Sequence, residues 1–252
     1  MDDKELKDRA GCFLCHCEVR ETENLGRAAF ATRDLPCGAP VVVESPFLLI
    51  GDAAAGGSAA RAKDIERITR KHNLPQTMLD FFEPCLGVGW AETTKEDRAF
   101  LLQNFYYPHS SEELRPYVNK TAPKDIEANE RSVYVCLAAC ADLAKLPWLS
   151  KHVPEWGAIE WFQFLQAADL NIHKDSSNPA SAQFGGLFLV GSKFTHSCAP
   201  NCLWQFDAKG SLVYVCLRKI QKGEMLTFSY VGDGIDLLQG TLQKNLKNIS
   251  GT

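Results

Sequence analysis

Strand-like patterns lie at the two ends of this chain, and helix-like patterns fill the middle. Residues 28–50 contain short apolar runs broken by Pro-Cys-Gly at 36–38, which predicts short strands joined by turns. Residues 212–230 repeat this pattern, with a break at Gln-Lys-Gly, residues 221–223. Strand-rich ends on either side of a helical middle are typical of an α+β fold.

The two strand-rich ends share a repeated pattern. Arg33, Leu35 and Gly38 in the first correspond to Arg218, Ile220 and Gly223 in the second. The sequence therefore predicts that a similar strand-turn-strand unit occurs twice. Chance similarity stays open as an alternative, because hairpins share their residue preferences.

The middle of the chain predicts helices near residues 61–83, 94–105, 123–145 and 155–169. In the third, Pro123 suits the first helical turn, and Cys136 and Cys140 lie at helical spacing on an apolar face. The fourth carries too many aromatic residues for one narrow face. We therefore expect it to be buried on two sides, with its aromatic rings in the core.

Composition narrows the class of protein. The chain has 252 residues, of which 45% are hydrophobic, so it can bury a large core. Its charged amino terminus does not resemble a secretion signal, and its longest apolar stretch, near 133–141, is too short to span a bilayer. Ten cysteines without such a signal favour reduced thiols or metal ligands. We expect a soluble intracellular protein, cytoplasmic or nuclear, with no membrane partner.

The charge balance argues against one class of partner. A net charge of -4 gives no uniform basic field of the kind that attracts nucleic acids. Direct nucleic-acid binding is therefore not expected.

Two polar segments follow strand-like patterns near the carboxyl end. Thr-His-Ser-Cys-Ala-Pro-Asn at 195–201 alone predicts a turn in which Ser197 and Asn201 satisfy backbone groups while Pro200 fixes the bend. About thirty residues later stands Gly-Glu-Met-Leu-Thr-Phe-Ser-Tyr, residues 223–230. Taken alone, its final tyrosine predicts a half-buried packing residue.

Three separated segments together resemble the SET-domain protein-lysine methyltransferases. Residues 195–201 are similar to the family's Asn-His-Ser-Cys-x-Pro-Asn, and residues 223–230 to its Gly-Glu-x-Leu-Thr-x-x-Tyr. Residues 26–33 resemble its amino-terminal Gly-Arg-Gly-Leu-Phe-Ala-Thr-Arg, and the three occur in the family's order. The resemblance implies a SET β-fold, with short strands in small sheets and a pseudoknot, interrupted by a large helical insert. The layout is most similar to the SMYD-like branch, without its MYND zinc module.

The resemblance also implies a division of the chain. We expect an amino-terminal extension with a cysteine cluster at residues 1–25 and a SET domain at 26–238. A helical insert would interrupt this domain at about 53–170, and a tail would follow at 239–252. The family's post-SET segment is expected to be missing.

The family's activity implies roles for particular residues. The implied reaction transfers a methyl group from S-adenosylmethionine to the ε-amine of a lysine in a protein or peptide. Tyr230 would be the catalytic tyrosine. Gly26, Arg27 and Ala28 would form a loop beside the methionine part of the cofactor, and Thr195 and His196 would hold its adenine and amino-acid parts.

Three residues depart from the family pattern at cofactor positions. Thr195 and Ala168 stand where the family has asparagine, and Ala28 stands where it has glycine. Asn171, close to Ala168 in sequence, could supply a substitute amide. These departures leave open a weak or lost activity and an alternative function, a catalytically silent SET-like module that binds a peptide or protein through its aromatic-rich insert.

A zinc site is a further hypothesis. Relatives in the SMYD-like branch bind zinc after the catalytic tyrosine, together with the cysteine that corresponds to Cys198. Cys15 and Cys17, in a dense amino-terminal run of thiols and an imidazole, could join Cys198 around such an ion. The simpler alternative is a set of reduced thiols in a mobile terminus.

Overall fold

The structure, a computed structural model, describes residues 3–51, 58–75, 78–123, 125, 127–174 and 184–230. The chain divides into two compact units, residues 1–47 with 188–252 and residues 48–187. We call them the β unit and the helical unit. None of the described helices is both long and apolar enough to cross a membrane.

Along the described part of the chain, one short helix and five strands are followed by seven helices and then by six strands. The helices are α1 (Asp3–Arg9), α2 (Ser58–Lys71), α3 (Met78–Gly87), α4 (Lys95–Asn104), α5 (Ser111–Leu114), α6 (Ala128–Leu143), α7 (Pro147–Ser150) and α8 (Ala158–Asn171). The strands are β1 (Cys12–Cys15), β2 (Cys17–Thr22), β3 (Gly26–Ala31), β4 (Pro40–Glu44), β5 (Leu48–Gly51), β6 (Ile172–Lys174), β7 (Phe184–Leu187), β8 (Thr195–His196), β9 (Cys202–Phe206), β10 (Leu212–Cys216) and β11 (Thr227–Phe228). Short 3-10 turns cover Arg115–Tyr117 and Gly191–Lys193.

Small sheets build the β unit. Four antiparallel strands lie in the order β1-β4-β10-β9. All five residues of β10 are buried, which suits the β-branched and aromatic side chains of Leu-Val-Tyr-Val-Cys. Strands β2 and β3 form an antiparallel hairpin, and β8 pairs in parallel with β11. These sheets and helices confirm the predicted α+β class.

The repeated pattern in the β unit pairs with itself. Leu35 and Ile220, which occupy the same position in the two repeats, exchange both backbone hydrogen bonds at 2.9 Å. The Gly38 N–H donates to Cys216 O and the equivalent Gly223 N–H donates to Ala31 O, each at 2.8 Å. Both glycines have left-handed backbones, with φ of 79° and 83°, a conformation that other residues adopt at a cost. The two segments thus meet about a local pseudo-twofold axis.

The helical unit combines α2 to α8 with a three-stranded antiparallel sheet in the order β5-β7-β6. Its core contains a cluster of aromatic rings with centroids 5.0 to 6.0 Å apart, formed by Trp90, Trp156, Trp161 and Phe164. Half of the residues of α8 are buried, among them the five consecutive residues 161–165, which confirms that the helix packs on more than one side. Cys136 and Cys140 are buried on α6, as their spacing predicts.

The two largest differences from the predicted helices are at 61–83 and 123–145. The single helix expected at 61–83 is two helices, because Asn73 has a left-handed backbone with φ of 50° and Pro75 follows it. The helix expected from Pro123 begins at Ala128, after Glu127, whose backbone is extended. Pro123 therefore lies before the helix and not in its first turn.

The amino-terminal segment, for which a mobile terminus is one prediction, forms two paired strands. Strand β1 pairs with β4, and β2 pairs with β3 along its whole length. The predicted tail at 239–252 lies outside the described residues.

Candidate functional site

The parallel pair β8–β11 brings the two carboxyl-terminal motifs together. Thr195 pairs with Thr227 and His196 pairs with Phe228. The Thr195 N–H donates to Leu226 O at 3.3 Å, and the Ser197 N–H donates to Phe228 O at 3.0 Å. Segments about thirty residues apart in sequence are therefore neighbours in the fold, as the resemblance implies.

The amino-terminal motif segment, residues 26–33, contacts the two carboxyl-terminal motifs at Leu226. The Leu226 N–H donates to Ala29 O in β3 at 2.8 Å, while its carbonyl accepts the bond from Thr195. The Ala31 N–H donates to Glu224 O at 2.9 Å, and Phe30 forms a β-bridge with Met225. Residues 224–226 thus lie between β3 and β8.

Residues 194–201 are called the histidine motif, and Asn201 holds the end of this motif against β11. Its Nδ2 donates to Met225 O at 2.8 Å and to Glu224 Oε1 at 3.1 Å. Its Oδ1 accepts the Thr227 N–H at 2.8 Å. With only 2% of its surface exposed, this side chain crosslinks the two motifs, more than the local turn role that the sequence pattern predicts.

Tyr230 is bound to the histidine motif at two points. Its N–H donates to His196 Nδ1 at 3.0 Å, and its hydroxyl donates to Phe194 O at 3.1 Å. The ring centroids of His196 and Tyr230 lie 5.2 Å apart, and those of Phe228 and Tyr230 lie 4.7 Å apart. Partial burial raises the pKa of the Tyr230 hydroxyl.

Phe194 carries a functional contact that sequence reasoning missed. Its carbonyl accepts the Tyr230 hydroxyl, and its buried ring stacks on Tyr214 at 3.8 Å with planes 18° apart. The sequence signal is its place directly before Thr195, but a main-chain acceptor has no side-chain signature. The packing of its ring fixes where that acceptor points.

The predicted cofactor loop is the start of a strand. Gly26, Arg27 and Ala28 are the first three residues of β3, paired with Thr22, Glu21 and Arg20. The hairpin turn is closed by Thr22, whose Oγ1 donates to Gly26 O at 2.8 Å and accepts the Leu25 N–H at 3.0 Å. Ala28 is fully buried, so its added methyl group does not face an open surface.

Gly26 is the accessible part of this segment. Its backbone is left-handed, with φ of 63°, and a Cβ built there would have no atom within 4 Å. A ligand can therefore approach the main chain closely at this point.

Thr195, Ala168 and Asn171 each have defined surroundings within their own unit. The Thr195 hydroxyl lies 3.3 Å from Met225 Sδ, a weak acceptor. Within the helical unit, Ala168 is fully buried, and the Asn171 side-chain amide donates to Tyr106 O and Ala167 O, each at 2.8 Å. The amide that could substitute for the missing asparagine is thus engaged within its own unit.

The proposed zinc ligands are not gathered into one site. Cys15 Sγ lies 3.6 Å from Cys17 Sγ, whereas Cys198 Sγ lies 3.4 Å from His196 Nε2. Among the residues that the structure describes, no group of three or more His, Cys, Asp or Glu side chains is arranged to hold a metal ion. Cys15 is the last residue of β1 and Cys17 is the first residue of β2, so both thiols are fixed by strands that pair within the β unit.

Comparison with known proteins places the chain in a family. No curated protein matches it. It is similar to the solved SET domain of LSMT bound to lysine and AdoHcy, with 12% identity over 91% of this chain and 53% of that one and a TM-score of 0.47. It is also similar to Rubisco LSMT bound to sinefungin and monomethyllysine, with 13% identity over 95% and 54% and a TM-score of 0.47. This chain spans about half the length of these structures. A SET domain model matches residues 26–231, most of the sequence, and the chain therefore belongs to the SET domain family.

Proposed function

We propose that this protein transfers a methyl group from S-adenosylmethionine to the ε-amine of a lysine in a protein or peptide. One observation carries the proposal: in a SET domain, the β8–β11 pair holds Tyr230 against the histidine motif by two hydrogen bonds. A fixed hydroxyl at a surface where three motif segments converge suits a reaction that depends on positioning.

The residues present fit such a cofactor. Gly26 offers open main chain at the tip of the β2–β3 hairpin, and Thr195 and His196 lie on the strand that pairs with β11. We assign Gly26, Arg27, Thr195 and His196 to cofactor binding, mainly through main-chain groups, and exclude the buried Ala28 side chain. The bound cofactor would supply a methyl group activated by its sulfonium.

Tyr230 and its neighbours act on the lysine in this proposal. The attacking amine must be neutral, although the pKa of free lysine is about 10.4. The rings of Phe228 and Tyr230 would remove water from the amine and so lower its pKa, because desolvation disfavours the charged form. The Tyr230 hydroxyl would orient the amine toward the methyl group.

Three finer assignments belong to the same proposal. We place the chain in the SMYD-like branch because of its motif sequences and the α2 to α8 helices between them. We place it inside the cell, in cytoplasm or nucleus, because all ten cysteines are free thiols. We leave zinc out of the mechanism.

The alternative, a silent module that binds partners through its aromatic insert, is not favoured. Four of the insert's aromatic residues, Trp90, Trp156, Trp161 and Phe164, are buried in the core of the helical unit. They cannot also contact a partner.

Calorimetry with S-adenosylmethionine, followed by methyl transfer from labelled cofactor to a lysine peptide array, tests the proposal. We expect saturable binding and label on lysine peptides. A folded chain that binds no cofactor at millimolar concentration would contradict it. Binding without any transfer, to peptides or to whole-cell protein, would favour the silent module.

A further inference from the structure

A buried carboxylate supports the segment that enters the histidine motif. Glu44, the last residue of β4, has no exposed surface. Its Oε1 accepts the Val190 N–H at 3.0 Å and its Oε2 accepts the Gly191 N–H at 2.8 Å, and the Leu189 N–H also bonds to it. Burial raises the pKa of this carboxyl to about 8, and the three N–H donors oppose that rise. A buried carboxylate is costly without such donors, so these bonds account for its place in the core.

The turn that Glu44 binds has no room to shift. A Cβ on Gly191 would lie 2.4 Å from Leu212 Cδ2 and 3.2 Å from Phe188 Cβ. The backbone of the Gly191–Lys193 turn is therefore packed directly against side chains of the β unit. With Glu44 on its N–H groups, the turn is fixed by both packing and hydrogen bonds.

This turn leads directly into the candidate site. The Phe194 N–H donates to Gly191 O at 3.2 Å, and the Phe194 carbonyl accepts the Tyr230 hydroxyl at 3.1 Å. The next two residues, Thr195 and His196, are strand β8. A shift of the turn would move the tyrosine acceptor and the cofactor-binding strand together.

We propose that Glu44 is a positioning residue of the site, whose two carboxyl oxygens fix the turn from which Phe194 and strand β8 are presented to Tyr230 and the cofactor. This inference rests on the proposed function and adds a residue to it. Glu44 acts through the backbone of residues 189–191 and touches no substrate.

Glu44→Gln tests the proposal, because an amide has one acceptor oxygen and would turn an N–H₂ group toward a backbone N–H. The control is Asp207→Ala, which removes a carboxylate that accepts two backbone N–H groups, from Lys209 and Ser211, in the β9–β10 turn. Two quantities are measured at a temperature where all variants are folded: hydrogen exchange of the Val190 and Gly191 amides, and the calorimetric Kd of S-adenosylhomocysteine.

We expect Glu44→Gln to speed exchange at both amides and to weaken cofactor binding, each about tenfold, as loss of one buried hydrogen bond predicts. Asp207→Ala should change neither. Unchanged exchange and Kd in Glu44→Gln would overturn the inference. If the wild type binds no cofactor, the proposed function fails while the exchange measurement still decides the role of Glu44.

A second variant covers the case in which Glu44→Gln does not fold. Glu44→Asp keeps two acceptor oxygens on a shorter side chain, so we expect an intermediate increase in exchange at Val190 and Gly191. Exchange equal to that of the wild type would overturn the inference.

Discussion

Tyr230 is held through both its backbone and its side chain by the histidine motif. Its N–H donates to His196 Nδ1, which places the proton of a neutral imidazole on Nε2, facing Cys198 Sγ at 3.4 Å. His196 thus orients the tyrosine backbone, while Cys198 pairs with the histidine. The sequence predicts that these residues lie close together but not which atom of each makes the contact.

Tyr230→Phe should separate catalysis from binding and from folding. The variant loses one hydroxyl from a side chain that is 60% exposed, so the thermal midpoint should stay almost unchanged. Turnover should fall about 10²-fold, as is typical when one positioned hydrogen-bond donor is removed. The Kd of S-adenosylhomocysteine should stay within about twofold of the wild type, since the hydroxyl bonds to Phe194 O and not to a cofactor-binding side chain.

The matched control is Tyr106→Phe, which removes a hydroxyl from a tyrosine that is 66% exposed in the helical unit. Steady-state rates at saturating cofactor and titration calorimetry measure the two effects. Equal turnover in Tyr230→Phe and the wild type would remove Tyr230 from its catalytic role.

Strands β8 and β11 are two residues long, too short to hold each other by their own ladder. Asn201 compensates, because its amide bonds to both sides of the junction, at Met225 O and at the Thr227 N–H. Such elements are not predictable from periodicity, which needs longer segments. The longer strands β4 and β10 and the helix α8 were predictable, since their apolar patterns extend over several residues.

Asn201→Ala should loosen this junction. It leaves the Thr227 N–H and the Met225 carbonyl without their partner at a site that is 2% exposed, so the free energy of unfolding of the β unit should fall by about 2 to 3 kcal/mol. Asn201→Asp should be worse, because it places a second carboxylate 3.1 Å from Glu224 Oε1.

Hydrogen exchange of the amides in residues 195–197 and 226–228 measures the loss. Asn171→Ala is the control, since that amide also donates to two carbonyls but lies at a partly exposed position in the helical unit. If Asn201→Ala lost no more stability than Asn171→Ala, the junction would depend on the strands alone.

Over the whole chain, the sequence predicts the order of strands and helices better than their exact limits. The strand-rich ends and the helical middle agree with the observed order of elements, and the repeat at Leu35 and Ile220 pairs as a symmetric bridge. The strands β1 and β2 were not predicted, because their mixture of cysteines and charges hides the alternation. The burial of Glu44 was not predicted either, since its acceptor role depends on a turn far away in sequence.

Two buried groups, one in each unit, contribute with opposite signs to the response of stability to acid. In the helical unit, burial lowers the pKa of His173 to about 4, below its usual 6.5, so the folded form stays neutral while the unfolded chain takes up a proton. The unit therefore loses stability as the pH falls from 6.5 toward 4. In the β unit, Glu44 has a raised pKa of about 8 against 4.5, so the folded form binds the proton first. The contribution of Glu44 to the stability of that unit therefore grows as the pH falls from 8 toward 4.5.

The His173 effect can be isolated with His173→Gln. Between about pH 7 and about pH 5, the wild-type helical unit should lose about 2 kcal/mol, because the slope approaches about 1.4 kcal/mol per pH unit once the unfolded histidine is charged. The variant lacks the titrating imidazole and should lose none of this. Hydrogen-exchange protection of the amides in α8 and β6, corrected for intrinsic rates, measures the difference, and His152→Gln, a partly buried histidine of the same unit, is the control. Protection that falls equally in His173→Gln and in the wild type would show that another group governs the acid response of this unit.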